Sequence, residues 1–360
     1  MPLSIRPKLK ETLDKLERHS IISKSNSPTE WVNSIVIVEK KNGSLRLCLD
    51  SAELNAGIIR KHRQVPTIEE ILSRLHGKKY FTVIDMADCY WHLELDEESA
   101  NLTTFNTPDG RYRFNRMPFG ISSAADEAQE MVEKHFSDLD NDENKAILAI
   151  FDDLIIATDE LTDHKAAVRT VFQRARDRNI KFNLQKIQFC VSEVKYLGHI
   201  ISSKGVTVDP EKVNAIINMP KPQKRADVQR YLGMVNYLAK FIPNLSKISL
   251  PLRSLLKKVT QWNWNHEHDA SMEQIKTALT SSPVLAFFDV SLPVTLQVDA
   301  SSHGLGACLM QNSHPITYAS RSLTTTEQGY AQIEKELLAI VYGCERFNQY
   351  VYGRKNPCSK

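Results

Sequence analysis

Residues 146–158 read AILAI-FDD-LIIAT: two apolar stretches, Ala146–Ile150 and Leu154–Ala157, on either side of Phe151-Asp152-Asp153. Two short apolar strands meeting at a polar tip form a hairpin pattern. An Asp-Asp pair at such a tip is, taken singly, most often a solvated turn. Here the apolar walls set both acids beside a core, where an unpaired charge is costly. A third acid, Asp85, ends the short strand Phe81–Asp85 in the run FTVID. Three carboxylates at strand ends offer hard oxygen donors of the kind magnesium takes, and magnesium also binds substrate phosphates. Two such ions can activate a hydroxyl nucleophile and stabilise a departing pyrophosphate.

Outward from this hairpin the pattern is mixed. A helix is expected over Lys8–Arg18. Strands Ser34–Glu39 and Leu45–Leu49 are joined by Lys40-Lys41-Asn42-Gly43, a strong hairpin signal. Thr67-Ile68-Glu69-Glu70 reads as a capping box opening a helix that Gly77 closes. Thr162–Asn179 is predicted helical, with His164, Val168, Val171 and Phe172 on one side. Asp209-Pro210 reads as the start of a helix that Pro220 ends, and Asp227–Phe241 as a second. Trp262–His268 reads as a linker. Beyond it come a helix at Ser271–Leu279, strands at Val294–Val298, Ala307–Gln311 and Ile316–Ala319, and one long helix, Thr326–Tyr352. That helix carries an apolar stripe of Ile333, Leu337, Ile340, Cys344, Phe347 and Val351.

The chain has 360 residues, too many for one core, so two or three domains are expected. Its apolar runs are far too short for a membrane span, and no apolar leader opens it. Six cysteines without a CxxC pair, five of them in apolar segments, suggest buried reduced thiols and an intracellular compartment, cytoplasmic or nuclear. A disulfide scaffold, a zinc ribbon and a membrane protein are excluded. Charge is unevenly spread. Residues 206–258 hold ten Lys or Arg against three acids, which suits contact with phosphates. Residues 126–143 hold eight acids and one Lys, and would repel a nucleic acid they faced.

Ten stretches in order resemble the reverse transcriptases of gypsy-type LTR retrotransposons: LRLCLDSAELN, PTIEEIL, YFTVIDMADCYWHLEL, TTFNTPDGRYRFNRMPFGISSA, IFDDLII, FNLQKIQF, YLGHIIS, DPEKVNAI, LGMVNYLAKFIPN and LQVDASSHGLGA. The resemblance runs to about residue 354. It implies a multidomain α+β chain, a right-hand polymerase of fingers, palm and thumb followed by a partial RNase H-like α/β domain. The implied divisions are 1–205 for fingers and palm, 206–260 for thumb and connection, and 261–360 for a truncated RNase H-like domain. The implied activity is RNA-directed DNA polymerisation. The implied partners are dNTPs and an RNA or DNA template with its primer, with no membrane partner; oligomeric state is left open.

The same resemblance assigns roles. Asp85 and Asp152 would hold two Mg2+ (or Mn2+) ions, with Asp153 in support and the Met86 carbonyl as a backbone ligand. Tyr90 would lie under the incoming sugar and exclude a 2′-hydroxyl. Arg46, with Lys40 or Lys41, would grip the triphosphate, a task for which the guanidinium fork is suited. Met117-Pro118-Phe119-Gly120 would line the nucleotide pocket, with Lys186 as a further basic residue. Tyr196-Leu197-Gly198-His199 matches the primer grip.

Four positions depart from the family pattern. Ile150 stands where a Tyr is usual, Ala125 for Pro, Ala128 for Phe, and Ala52 for an Arg beside Asp50. Losing the Phe leaves a cavity costing roughly 3–5 kcal/mol if nothing refills it. Reduced activity is therefore expected, and a decayed or domesticated, non-enzymatic nucleic-acid-binding remnant is the alternative. In the C-terminal part, Asp299 ends a strand and Glu336 lies beside the helical stripe. Both match metal-holding acids of RNase H, whose further acids lie outside the matching stretch. An inactive remnant of three strands and one helix, with an unpaired strand edge, is expected. His92, His164, His199 and His303 are expected to pack or cap, and Trp262 and Trp264 to anchor the linker.

Overall fold

A computed structural model describes residues 3–359 apart from Ser27, Glu30, Lys41, His62, Glu143, Lys258, Val259 and 355–357. The chain divides into two compact units, one of residues 1–67 and 80–190, the other of 68–79 and 191–360.

In the first unit, the helix Arg6–Arg18 buries Leu9, Leu13 and Leu16, one stripe at helical spacing. Each such leucine contributes about 1.5–3 kcal/mol of burial. They pack under the hairpin Ser34–Glu39/Leu45–Asp50 against Leu45, Leu47 and Leu49, which alternate inward along their strand. Gly43, at φ +78°, is the left-handed residue that closes the loop; its N–H donates to the Lys40 carbonyl and the Lys40 N–H to the Ser44 carbonyl, a longer hairpin loop than the two-residue Asn-Gly type. A small sheet places Gly110–Phe114 between Ile22–Lys24 and Phe105–Thr107.

The main sheet of this unit has the order Lys145–Ile150, Asp153–Thr158, Tyr80–Asp85, Gln188–Val191. The helices Ala124–Phe136 and Leu161–Asp177 share its core, through Ala128, Val132 and Phe136 from one and Val168 and Val171 from the other. The central strands are apolar and buried along most of their length, as strands covered by helices are. His164 is buried and bonds Thr82 and Thr158, a packing role as expected.

The second unit holds the helix Ile68–Arg74 and the meander Glu193–Tyr196, His199–Ser202, Gly205–Val208. A run of helices follows: Pro210–Ile217, Arg225–Tyr237, Leu245–Ile248, Leu250–Ser254 and His266–Thr280. Asp209 caps the first by accepting from the Glu211 N–H. The stretch expected to be a linker over Trp262–His268 is corrected: a helix already begins at His266. Asn265 caps it and the His268 ring accepts from the Asn265 N–H, a capping box made with His rather than Glu or Gln. Trp264 is anchored to Asp269 at 2.8 Å.

The last sheet runs His314–Ser322, Gly304–Gln311, Thr295–Ala300, Cys358–Ser359. The expected three strands are corrected to four, because Cys358–Ser359 pairs in parallel with Leu296 and Gln297. The single long helix is also corrected. Thr325–Gln328, Gln332–Arg346 and Asn348–Val351 are separate, and extended backbone at Ala331 restarts the second, where Glu334 accepts from the Ala331 N–H.

The expected apolar stripe is only partly the buried face. Ile333 is 63% exposed, Leu337 57%, and Cys344 is exposed. The helix instead lies on the sheet through Ala339 and Gly343; a Cβ on Gly343 would stand 3.1 Å from Leu296 and 3.2 Å from Val298. Close approach selects small residues there, which a hydrophobicity pattern does not reveal. The cysteine expectation changes too: Cys89 and Cys308 are buried, Cys48 and Cys190 half-buried and Cys344 exposed. Among the described residues, no helix is long and apolar enough to cross a membrane.

Candidate active site

The strands Tyr80–Asp85 and Asp153–Thr158 run antiparallel in a register that sets Asp85 directly opposite Asp153. Two residues, Phe151 and Asp152, connect Ile150 to Asp153. Phe151 has φ +53°, the left-handed backbone such tight connections demand. The Asp152 carbonyl accepts from the Met86 N–H at 2.7 Å, and the Asp85 carbonyl from Asn183 at 2.8 Å. All three acids are thus fixed by backbone bonds at one end of the main sheet.

Their charges act on one another. Burial, then the Asp152 and Asp85 charges, pushes the Asp153 carboxyl up to about 6, with Lys186 pulling the other way. The buried Cys89 thiol is raised to about 12 by burial and by the same two neighbours, Asp152 and Asp85. Lys186 Nζ lies 2.9 Å from Asp85 Oδ2 and is the cation of the group.

A set of rings and a guanidinium stands beside the acids. The Tyr90 and Phe119 rings are 5.1 Å apart, and Arg46 lies 4.5 Å over the Phe119 ring. The Tyr90 hydroxyl is raised by burial and by Asp152, and lowered by Arg46, so both charges reach it. Phe119 is held because its carbonyl accepts from Leu49 N–H at 2.7 Å. The Gly120 carbonyl accepts from Ser51 and Asn55. Gly120 has φ +110°, and a Cβ there would collide with the Leu49 carbonyl. Met117 and Pro118 are buried behind the loop. Lys40 Nζ stands 3.8 Å from Asp88, three residues beyond Asp85. Lys41 lies outside the described residues.

Tyr196-Leu197-Gly198-His199 forms the first turn of the meander in the second unit. Leu197 and Gly198 have φ +45° and +73°, as a two-residue primed hairpin turn requires. Tyr237 Oη donates to the Leu197 carbonyl at 2.9 Å, and Lys212 Nζ lies 3.8 Å over the Tyr237 ring. The His199 Nδ1 faces the Leu197 carbonyl at 2.9 Å, while its Nε2 is buried with no hydrogen-bond partner. Burial, then the Lys240 charge, brings His199 down to about 4.

Two family models match the chain: "Reverse transcriptase (RNA-dependent DNA polymerase)" over residues 38–201 and "RNase H-like domain found in reverse transcriptase" over 264–357. The Pol polyprotein of transposon 297 from Drosophila melanogaster is 36% identical over 95% of this chain and 32% of its own length. That of transposon opus, from the same organism, is 33% identical over 98% and 37%. The Tf2-3 polyprotein of Schizosaccharomyces pombe is 31% identical over 90% and 24%.

The chain belongs to the reverse transcriptases of LTR retrotransposons.

It spans between 24% and 37% of the length of these curated relatives. The foamy viral protease–reverse transcriptase, solved with double-stranded DNA, superposes with a TM-score of 0.91 at 23% identity, covering 99% of this chain and 62% of that one. Its complex with an RNA/DNA hybrid gives 0.86, over 99% and 48%. The fold is therefore that of a right-hand polymerase followed by an RNase H-like domain.

Within this reverse transcriptase fold the donor chemistry of the three acids fits divalent cations. They are hard oxygen ligands, and their mutual repulsion, seen in the raised Asp153, is what a cation relieves. As they stand, no three His, Cys, Asp or Glu side chains among the described residues are close enough to hold an ion, and Lys186 is bonded to Asp85. The acidic stretch is largely neutralised from within its own unit. Arg60 bonds Asp126, Lys61 approaches Glu127, Arg63 bonds Glu130 and Glu133, and Arg174 bonds Asp138. Ala128, where the family carries Phe, is fully buried in the main core beside Met131 and Cys89.

In the RNase H-like part, Asp299 is on the exposed face of its strand, opposite the side packed by Leu296, Val298 and Ala300. Glu336 is half-buried and accepts from Gln332 at 3.2 Å, which also donates to the Ala300 carbonyl. Gln129, fully buried beneath the acidic tip, is the residue that sequence reasoning missed. In a run this acidic a glutamine reads as part of a solvated face, and only its lack of charge sets it apart.

Proposed function

We propose that this chain is an RNA-directed DNA polymerase that extends a primer on an RNA or DNA template with dNTPs. The observation that carries the reading is the opposition of Asp85 and Asp153, with Asp152 tied to Met86 and the Arg46–Phe119–Tyr90 group alongside. Asp85 and Asp152 would hold two magnesium (or manganese) ions, with Asp153 in support and the Met86 carbonyl completing the set. When bound, such ions activate the primer 3′-hydroxyl and neutralise the leaving pyrophosphate. Lys186, now on Asp85, would turn to the phosphates as the carboxylate takes up a cation. Arg46, with Lys40 or Lys41, would grip the triphosphate. Met117, Pro118, Phe119 and Gly120 would line the nucleotide pocket, and Tyr90 would sit beneath the sugar and exclude a 2′-hydroxyl.

The working division is 1–205 for fingers and palm, 206–260 for thumb and 261–360 for the RNase H-like part. Tyr196–His199 would hold the primer terminus, and the basic 206–258 stretch the duplex phosphates. Activity is expected below that of relatives with the usual Tyr at position 150, because Ile150 brings no hydroxyl to the hairpin. For the RNase H-like part we propose no cleavage by these 360 residues, since Asp299 and Glu336 alone do not fix two ions.

The test is primer extension on RNA and DNA templates with magnesium or manganese. Extension by the parent supports the reading. Tight primer-template binding with no extension under either metal would replace it with the non-enzymatic binder.

A further inference from the structure

Gln129 is fully buried, and every polar bond it makes serves the acidic hairpin or its support. Its Oε1 accepts from the Phe151 N–H at 2.8 Å; its Nε2 donates to the Ala149 carbonyl at 3.3 Å and to Glu133 Oε1 at 2.9 Å. Glu133 Oε2 in turn accepts from Arg63 at 3.0 Å, and Arg63 also pairs with Glu130 at 2.8 Å. One amide thus grips the hairpin on both sides of Ile150, and a salt bridge grips the amide.

The need for this grip lies in Phe151. A non-glycine residue at φ +53° is in a conformation that L side chains seldom adopt. Its N–H points away from the strand ladder, and a buried N–H without a partner is strongly disfavoured. The Gln129 oxygen supplies that partner. The next residue is Asp152, whose carbonyl is held from the opposite side by Met86. Asp152 is therefore pinned between two backbone anchors, one from the neighbouring strand and one from the helix Ala124–Phe136.

We infer that Gln129, braced by Glu133 and Arg63, is a positioning residue that fixes the Phe151 backbone and thereby aims Asp152 and Asp153 for catalysis. This rests on the polymerase reading of the acids. It assigns Arg63 a role in active-site order as well as in neutralising the acidic helix.

The experiment compares the parent with Gln129→Met, which keeps volume and removes both polar atoms. Two readouts are taken: single-nucleotide extension kinetics, and amide hydrogen exchange across residues 146–158. The expected result is a kcat reduced about 10- to 100-fold, a KM for dNTP within twofold, unchanged primer-template affinity, and faster exchange at the tip. Arg63→Ala, at a partly exposed site, should give a smaller kcat loss of the same kind. A Gln129→Met protein with parental kcat and parental exchange at the tip overturns the inference. So does a loss confined to thermal stability and KM. If the parent extends nothing, the polymerase reading falls, while the exchange measurement still decides whether Gln129 orders the hairpin.

Discussion

Asp85 and Asp153 face one another as direct partners across two antiparallel strands, and the Asp153 carboxyl is pushed up to about 6. Like charges on neighbouring strands beside a core disfavour each other's ionised form. Lys186 supplies part of that compensation, at 2.9 Å from Asp85. A divalent cation at this tip would relieve that repulsion further.

Asp152→Asn keeps the shape of the hairpin and removes one carboxylate charge. Extension should fall by about a hundredfold or more, the scale of several kcal/mol of lost transition-state stabilisation. Primer-template affinity, measured by fluorescence anisotropy, should stay within about twofold. A large loss of affinity would mean that Asp152 organises the fold rather than the chemistry.

Tyr90→Ala removes the ring that lies tilted 5.1 Å from Phe119. With no bulky group beneath the sugar, rNTP incorporation should rise relative to dNTP by about tenfold or more. The two nucleotides are compared in one extension assay, and an unchanged ratio would place the ring outside the sugar pocket.

Gly120→Ala places a methyl group against the Leu49 carbonyl at φ +110°. Backbone strain alone costs about 1–3 kcal/mol. Urea unfolding should show a lower midpoint, and extension should weaken because Phe119 shifts under Arg46. A midpoint equal to the parent's would show that the loop gives way freely.

His199 is brought down to about 4 by burial and the nearby Lys240, below its ordinary 6.5. The unfolded chain then takes up a proton first as pH falls, so this residue's stabilising contribution is complete above about 6.5. It declines as pH drops from there and is gone below about 4. The melting temperature of His199→Asn should therefore fall less steeply than the parent's between pH 6.5 and 4. Parallel curves would mean that the ring takes its proton without unfolding.

The 360-residue chain should leave the RNA of a labelled hybrid intact. Degradation that disappears in Asp299→Asn would show that its two RNase H acids suffice.

Much of this protein is legible in its amino-acid sequence. The alternation in 34–50 and the apolar runs around Phe151-Asp152-Asp153 set both hairpins, because side-chain period and turn chemistry are local properties. The ten stretches in family order carry the fold class and the set of candidate residues. Element ends at 266 and 331 escape such a reading because a His replaces the usual capping acid in one case and extended backbone at an Ala interrupts a helical pattern in the other.

The sequence by itself determined that Asp85, Asp152 and Asp153 lie at the ends of short apolar strands. Tertiary structure alone decided that Asp85 stands opposite Asp153, since register depends on how whole strands bury their faces. It alone decided that Gln129 bonds the Phe151 N–H at the acidic tip and that Ala339 and Gly343, rather than Ile333 and Leu337, meet the last sheet. Hydrophobicity ranks residues one at a time, whereas close packing and buried hydrogen bonds are properties of pairs that the chain brings together from a distance.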